Sequence, residues 1–209
     1  MSTMNARQKR EGSASAVPHA PQLAIRRATA DDIADVCGIY QELFDFEERS
    51  GSHSNWKRGV YPNEQAARSG LESATLLVAQ NASAAGGKPT LVASMILNRS
   101  QPAEYRNIAW ERTADAGEPL VIHTLCVAPS CAGQGIGKAM VAFAQQQAVA
   151  QGVNAVRLDT YADNQPAIRL YERCGFSLCG SGIMNVAGAI TEEQVYLEWH
   201  AAEASSATN

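Results

Sequence analysis

Short apolar runs recur along the chain between glycine or polar residues and predict strands, and apolar residues at three- and four-residue spacing predict helices between them. The predicted strands cover residues 23–27, 75–79, 91–97, 121–127, 156–160, 177–180 and 195–199. Helical spacing follows Thr29, Pro62, Gly137 and Asn164. Strands that are followed by helices through the middle of the chain predict a mixed, partly parallel α/β sheet.

The segment around which the rest is organised is the glycine-rich turn between strand 121–127 and the next helix. Gly133, Gly135 and Gly137 stand at alternate positions in this turn. The backbone N–H groups of such a turn lie at the positive end of the helix dipole and attract phosphate. Glycine has no Cβ, so a bulky anion can approach the backbone closely. The turn is therefore a candidate phosphate-binding loop.

Two well-known phosphate-binding motifs do not fit this turn. A P-loop would begin with Gly where this chain has Ala132, and would place Ser or Thr after Lys138 where Ala139 stands. A dinucleotide fingerprint would end on Gly or Ala where this chain has Met140. Both motifs are therefore disfavoured.

A third motif fits better, and a second segment supports it. The turn resembles the acetyl-CoA pyrophosphate loop of the GNAT superfamily of N-acyltransferases, written Arg/Gln-x-x-Gly-x-Gly/Ala. The segment after the next strand resembles that family's second CoA motif, Asn-x-x-Ala-x-x-x-Tyr-x-x-x-Gly-Phe. Its five named positions are filled by Asn164, Ala167, Tyr171, Gly175 and Phe176. The ordered pair of motifs makes the resemblance specific.

The resemblance implies a fold and a cofactor site. The fold is an α/β (α+β) GNAT fold, with a central, mixed, mostly antiparallel sheet of about seven strands flanked by about four helices. The cosubstrate is acetyl-CoA, and Ala132 in place of the usual Arg or Gln implies weaker binding of its pyrophosphate. The implied cofactor-binding residues are Leu125, Cys126, Val127, Gly133, Gln134, Gly135, Ile136, Gly137, Lys138, Asn164, Ala167 and Tyr171.

The same resemblance assigns catalytic roles. Tyr171 matches the family's usual general acid, and a phenol with a reference pKa of about 10 is protonated at neutral pH. His123 lies on the central strand, and its unperturbed pKa of about 6.5 suits a general base. Glu111, Glu118 and Asp159 remain alternatives for the base.

Aromatic residues in polar loops are candidates for the acceptor pocket, because loops carry binding residues more often than cores do. Trp56 and Tyr61 lie in one such loop, and Tyr105 and Trp110 lie in another. Asp159, at the end of a predicted strand, joins them as a substrate-site candidate. The same four aromatic side chains could instead pack on the core and so anchor their loops.

Composition narrows the class of protein. The chain has 209 residues, 45% of them hydrophobic, and a net charge of -4, which gives no electrostatic footprint for nucleic acid or an anionic membrane. No apolar run approaches the length of a membrane span. The five cysteines are an odd number without metal-ligand spacing, so we expect reduced thiols, no metal and a cytoplasmic location. We expect a domain at 22–200 between mobile tails at 1–21 and 201–209.

The sequence thus predicts an N-acetyltransferase that moves an acetyl group directly from acetyl-CoA to a primary amine of a small molecule or peptide. The alternative is a catalytically weak or inactive acyl-CoA-binding module that serves as a sensor or scaffold. Family members often form homodimers, although no residue of this chain requires one.

Overall fold

The computed structural model describes residues 23–81, 89–111 and 118–201. The strands are β1 (Leu23–Arg27), β2 (Leu76–Asn81), β3 (Thr90–Asn98), β4 (Leu120–Val127), β5 (Ala155–Tyr161), β6 (Ser177–Val186) and β7 (Ile190–His200). The helices are α1 (Ile33–Ser50), α2 (Glu64–Glu72), α3 (Ile136–Ala150) and α4 (Gln165–Arg173). The tails predicted at 1–21 and 201–209 lie outside the described residues, apart from Ala201.

The strands of the described ranges form one sheet in the order β1-β2-β3-β4-β5-β7-β6. Neighbouring strands run antiparallel throughout, except that β4 and β5 are parallel. The connection between these two parallel strands contains α3, as a parallel pair requires a crossover. The predicted mixed, mostly antiparallel sheet of seven strands with four helices is confirmed.

Helices cover both faces of the sheet, and β2 shows this because residues on both of its faces are buried. Leu77 packs in a core with Met140 and Ala144 of α3, whereas Leu76 packs on the opposite face with Val36 and Tyr40 of α1. In α3 the buried residues fall at four-residue spacing, which is the apolar stripe expected of a helix on a sheet. No helix among the described residues has both the length and the apolar character needed to cross a bilayer.

Two irregularities open the middle of the sheet. The register between β3 and β4 shifts between Ser94 and Ile96, and Thr124 on β4 has a φ of 50°. The parallel pairing of β4 with β5 is limited to the partners of Leu120 and Val121. Beyond Val121 the two strands therefore separate, and the β4 backbone that faces β5 has no strand partner among the described residues.

The C-terminal hairpin differs from the prediction. A short strand was predicted at 177–180, but β6 extends to Val186 and pairs along its length with β7. Gly180 and Gly182 made this segment resemble a loop, yet backbone pairing with a long neighbouring strand outweighs their weak strand propensity. The tip of this hairpin reaches the cavity described next.

Candidate active site

A cavity of about 940 Å³ opens where β4 and β5 separate. Its wall combines α1, the loop after it, β4, the glycine turn, the end of β5, α4 and the β6–β7 hairpin. It brings together most of the residues predicted for the site: Trp56, Tyr61, His123, Leu125, Cys126, Val127, Gly133, Gly135, Ile136, Gly137, Lys138, Asp159, Asn164, Ala167 and Tyr171. The two CoA motifs thus meet the loop between α1 and α2, residues 51–63, which we name the acceptor loop for its predicted role.

The glycine turn has the geometry of an anion cradle. Gly133 and Gly135 have φ angles of 77° and 78°, a conformation that favours glycine, and a Cβ at either position would meet nothing within 4 Å. Gly135 is the N-cap of α3, so the free N–H groups of that helix's first turn lie beside the open space. The side chain of Gln134 is exposed and does not contribute to the cavity wall. The turn fits a phosphate group.

Helix α4 is fixed at its start and packed tightly against α3. The Asn164 side chain accepts a hydrogen bond from the Ala167 N–H (3.3 Å) and so caps α4. A Cβ on Gly137 would lie 3.0 Å from a terminal methyl of Leu170, so a larger residue here would require the Leu170 side chain to shift. This packing holds Tyr171, the residue after Leu170, at the cavity wall.

Tyr171 has the environment of a proton donor. Its side chain is buried in the main core and forms part of the cavity wall, with its ring 5.8 Å from that of Phe176. Burial raises the pKa of Tyr171 above its ordinary value, and the nearby charge of Asp159 raises it further. The phenol therefore stays protonated across the neutral and moderately alkaline range.

His123 is held as a neutral imidazole. Its Nε2 lies 3.1 Å from the Ser100 carbonyl oxygen and 3.1 Å from Oδ1 of Asn98. A backbone carbonyl can only accept, so Nε2 carries the proton and Nδ1 keeps its lone pair. Burial lowers the pKa of His123 from its ordinary value. A neutral imidazole with a lone pair can accept a proton at pH 7.

Asp159 carries a half-buried carboxyl group at the point where β5 leaves β4. The Tyr105 hydroxyl donates to its Oδ1 (2.7 Å), and among the described residues Oδ2 has no hydrogen-bond partner. Burial raises the pKa of Asp159 to about 6, and the charge of Glu104 raises it too, whereas the Tyr105 hydrogen bond lowers it. The group therefore carries a negative charge at pH 7 in a place where charge is costly.

The acceptor loop is organised by Glu47 of α1. Its carboxylate accepts from the backbone N–H groups of His53 (3.1 Å) and Ser54 (2.9 Å) and from the Ser54 hydroxyl (2.8 Å). The rings of Trp56 and Tyr61 then pack edge to face with centroids 5.8 Å apart, and the Tyr61 hydroxyl bonds to that of Thr124 on β4. The loop thus presents both aromatic rings to the cavity.

Tyr105 and Trp110, predicted for the acceptor pocket, lie elsewhere. They pack on Tyr196 in a small core of their own, with ring centroids 5.0 to 6.2 Å apart. The Trp110 indole also donates to the Tyr105 carbonyl oxygen (2.8 Å). Neither side chain lines the cavity, and both line a separate, smaller pocket beside Arg157. Tyr105 acts on the site through its hydrogen bond to Asp159.

Two polar residues of β7 were missed by the sequence analysis. Gln194 forms part of the cavity wall and hydrogen-bonds to Glu192, which also accepts from Asn55 of the acceptor loop. Gln194 and Glu192 are both buried. The signal was present in β7, where Glu192, Gln194 and Glu198 recur at every second or fourth position, on the face that a strand buries.

The sheet, the separated strands and the phosphate cradle define an acyl-CoA-binding fold, and the comparison with protein families agrees. The sequence profile of the acetyltransferase (GNAT) family matches residues 40–176, more than half of the chain. The chain belongs to this family, a class of acyltransferases that use acetyl-CoA.

Curated relatives match only in part. Streptothricin acetyltransferase from Escherichia coli is 32% identical over 74 residues, which are 35% of this chain and 39% of the relative. Mycothiol acetyltransferase from Arthrobacter sp. (strain FB24) is 36% identical over 70 residues, which are 32% of this chain and 22% of the relative. The matched segment thus spans well under half the length of these relatives.

Solved structures match over nearly the whole chain. An acetyltransferase of the GNAT family from Streptococcus agalactiae 2603 has a TM-score of 0.65 at 16% identity, covering 87% of this chain and 96% of that chain. The yncA protein from Salmonella typhimurium, solved with its cofactor acetyl-CoA, has a TM-score of 0.59 at 14% identity, covering 89% of this chain and 98% of that chain. At these identities the similarity establishes the fold.

Proposed function

We propose that this protein transfers an acetyl group from acetyl-CoA directly to a primary amine of a small molecule or peptide. The observation that carries the proposal is the gap between β4 and β5, with Tyr171 at its wall and the phosphate cradle at its mouth. The similarity of one segment to streptothricin acetyltransferase supports a small-molecule amine as the acceptor.

The residues present fit acetyl-CoA. The N–H groups of the turn from Gly133 to Gly137, with the N-terminus of α3, would hold the pyrophosphate. The unpaired backbone of β4 at Leu125 and Val127 would hydrogen-bond the pantetheine arm as a missing strand would. Ala132 offers no side-chain contact, so these backbone groups supply the binding.

His123 prepares the nucleophile. An alkylamine has a reference pKa of about 10 and arrives protonated, so the reaction needs a base. The neutral imidazole of His123 accepts that proton through Nδ1, either directly or through a water molecule. The hydrogen bond from Nε2 to the Ser100 carbonyl keeps the ring in the productive tautomer.

Tyr171 completes the transfer. Bound acetyl-CoA supplies an activated thioester, so no acyl-enzyme is required. Backbone N–H groups at the β4 irregularity would donate to the thioester oxygen as it gains negative charge. Tyr171 donates its phenolic proton to the departing thiolate, the nitrogen of the new amide gives up its second proton and so restores the phenol, and His123 releases the first proton to solvent. The products are the N-acetyl amine and free CoA.

The state of Cys126, one of the cysteines that line the cavity, supports direct transfer. Burial raises the pKa of its thiol, so it stays protonated and is a poor nucleophile.

Two-substrate kinetics test the proposal: intersecting lines in double-reciprocal plots, with no acetylated protein in intact-mass spectra, are expected. Parallel lines with an acetylated cysteine would contradict direct transfer. Tight binding of acetyl-CoA without turnover on any amine would favour the binding-module alternative, to which Ala132 lends weight.

A further inference from the structure

Gln194 carries an unsatisfied acceptor at the cavity wall. Its side chain is 3% exposed, and its Oε1 has no hydrogen-bond partner among the described residues. A buried polar atom without a partner is costly, and natural proteins rarely leave one without a reason. Since Gln194 lines the cavity, a donor on a bound ligand would supply the missing partner.

The orientation of this amide is fixed by chemistry. Its Nε2 donates to Oε1 of Glu192 (2.6 Å), and a carboxylate can only accept, so the amide oxygen must face the other way. The Asn55 side chain donates to the second oxygen of Glu192. Both oxygens of that carboxylate are therefore engaged, and Glu192 acts as a positioning residue for Gln194.

Asp159 supplies a second acceptor on the same face of the sheet. In the register of β5 and β7, Asp159 lies opposite Tyr196 and Tyr161 lies opposite Gln194. Asp159 and Gln194 are thus diagonal neighbours, roughly 7–8 Å apart and within reach of one small group placed between them. The Oδ2 of Asp159 has no partner among the described residues.

The group that fits two acceptors is a cation rich in N–H bonds. Glu104, near enough to raise the pKa of Asp159, adds a second negative charge to this part of the wall. A carboxylate stabilises the charged form of an amine, whereas the reacting nitrogen must become neutral. The group held here is therefore a different one from the amine that is acetylated.

We propose that Asp159 and Gln194 form a subsite for a second, non-reacting cation of the acceptor. The preferred acceptors are then diamines, or amines that also carry a guanidinium group. This inference rests on the proposed function, because it assumes that the cavity takes an amine acceptor. Zwitterionic amino acids are disfavoured, since Glu104 and Asp159 would repel their carboxylate.

The test measures binding first, so that it does not depend on turnover. Calorimetry with the CoA-loaded protein at pH 7.5 compares pentane-1,5-diamine with pentylamine, and then diamines of three to six carbons. The wild-type protein should bind the diamine about tenfold more tightly, with one optimal chain length. Asp159→Asn and Gln194→Met should each remove most of this preference, and Glu193→Gln, which removes an exposed charge of the same strand, should retain it.

The outcomes separate the two proposals. Equal affinity for the two amines in the wild type, or a preference that survives both Asp159→Asn and Gln194→Met, would overturn the subsite. Unchanged stabilisation of each variant by CoA shows that the fold and the cofactor site are intact. If the diamine binds selectively but no amine releases CoA from acetyl-CoA, the subsite stands and the proposed function falls. If pentylamine and the diamine are both acetylated, with equal kcat/KM, the proposed function stands and the subsite is overturned.

Discussion

Asp159→Asn is expected to stabilise the protein at alkaline pH. Burial raises the pKa of this carboxyl from 3.8 to about 6, so the folded protein holds the proton more tightly than the unfolded chain does. Between these two values the folded state binds more protons, and stability falls as the pH rises through that window. Above about pH 6 the stability of the folded protein is lowered by the full free-energy cost of ionising Asp159. Asparagine has nearly the same shape and carries no charge.

The magnitude follows from the shift. About two pKa units correspond to roughly 3 kcal/mol, and water in the cavity reduces this to an expected gain of about 1–3 kcal/mol. For a chain of this size 1 kcal/mol changes Tm by about 2–4 °C. The variant should therefore unfold about 2–12 °C above the wild type at pH 8, and above it by about half of that difference at pH 5, which lies within the window.

Thermal unfolding of both proteins at pH 5 and pH 8 measures this difference. Asp163→Asn is the matched control, because it removes an exposed carboxylate close by in the chain and should show no such pH-dependent gain. An Asp159→Asn variant that is no more stable than the wild type at pH 8, or that gains as much at pH 5, would refute the account of this carboxyl. The same variant should lose its preference for diamines.

Four further substitutions test the site. Tyr171→Phe should lower kcat about 100-fold or more without changing stabilisation by acetyl-CoA, and a loss in KM alone would contradict its role as an acid. His123→Ala should reduce turnover more at pH 7 than at pH 9, where more of the amine is already neutral; equal losses would count against the base. Glu47→Gln should destabilise the protein by about 1–2 kcal/mol and speed amide exchange in the acceptor loop. Gly135→Ala, at a φ of 78°, should weaken acetyl-CoA binding severalfold, measured by titration.

The cofactor half of the site could be predicted because its residues are local in sequence. The glycine turn follows β4 directly, and Asn164 and Tyr171 lie on one short helix, so two contiguous motifs describe it. The distance between the two motifs leaves room for one helix and one strand, which predicts the crossover between β4 and β5. The irregularity at Thr124 could not be predicted, since nothing in the composition of β4 marks it.

The acceptor half depends on pairing between distant strands. Gln194 reaches the cavity because β7 inserts between β5 and β6, and no local pattern reveals that order. Tyr105 and Trp110 show the converse, since aromatic residues in a polar loop look the same whether they face a ligand or pack on Tyr196. Long-range register decides between these cases, and a single sequence does not contain it.

The central claim is tested most directly by thermal unfolding with and without acetyl-CoA, run beside an amine panel that reports free CoA thiol. Acetyl-CoA at about 100 times its Kd should stabilise the protein by about 2.7 kcal/mol, and thiol should be released with at least one amine, with diamines the best of the panel. No stabilisation at millimolar acetyl-CoA would mean that the glycine turn with Ala132 does not hold the pyrophosphate, and the proposed transferase would be contradicted.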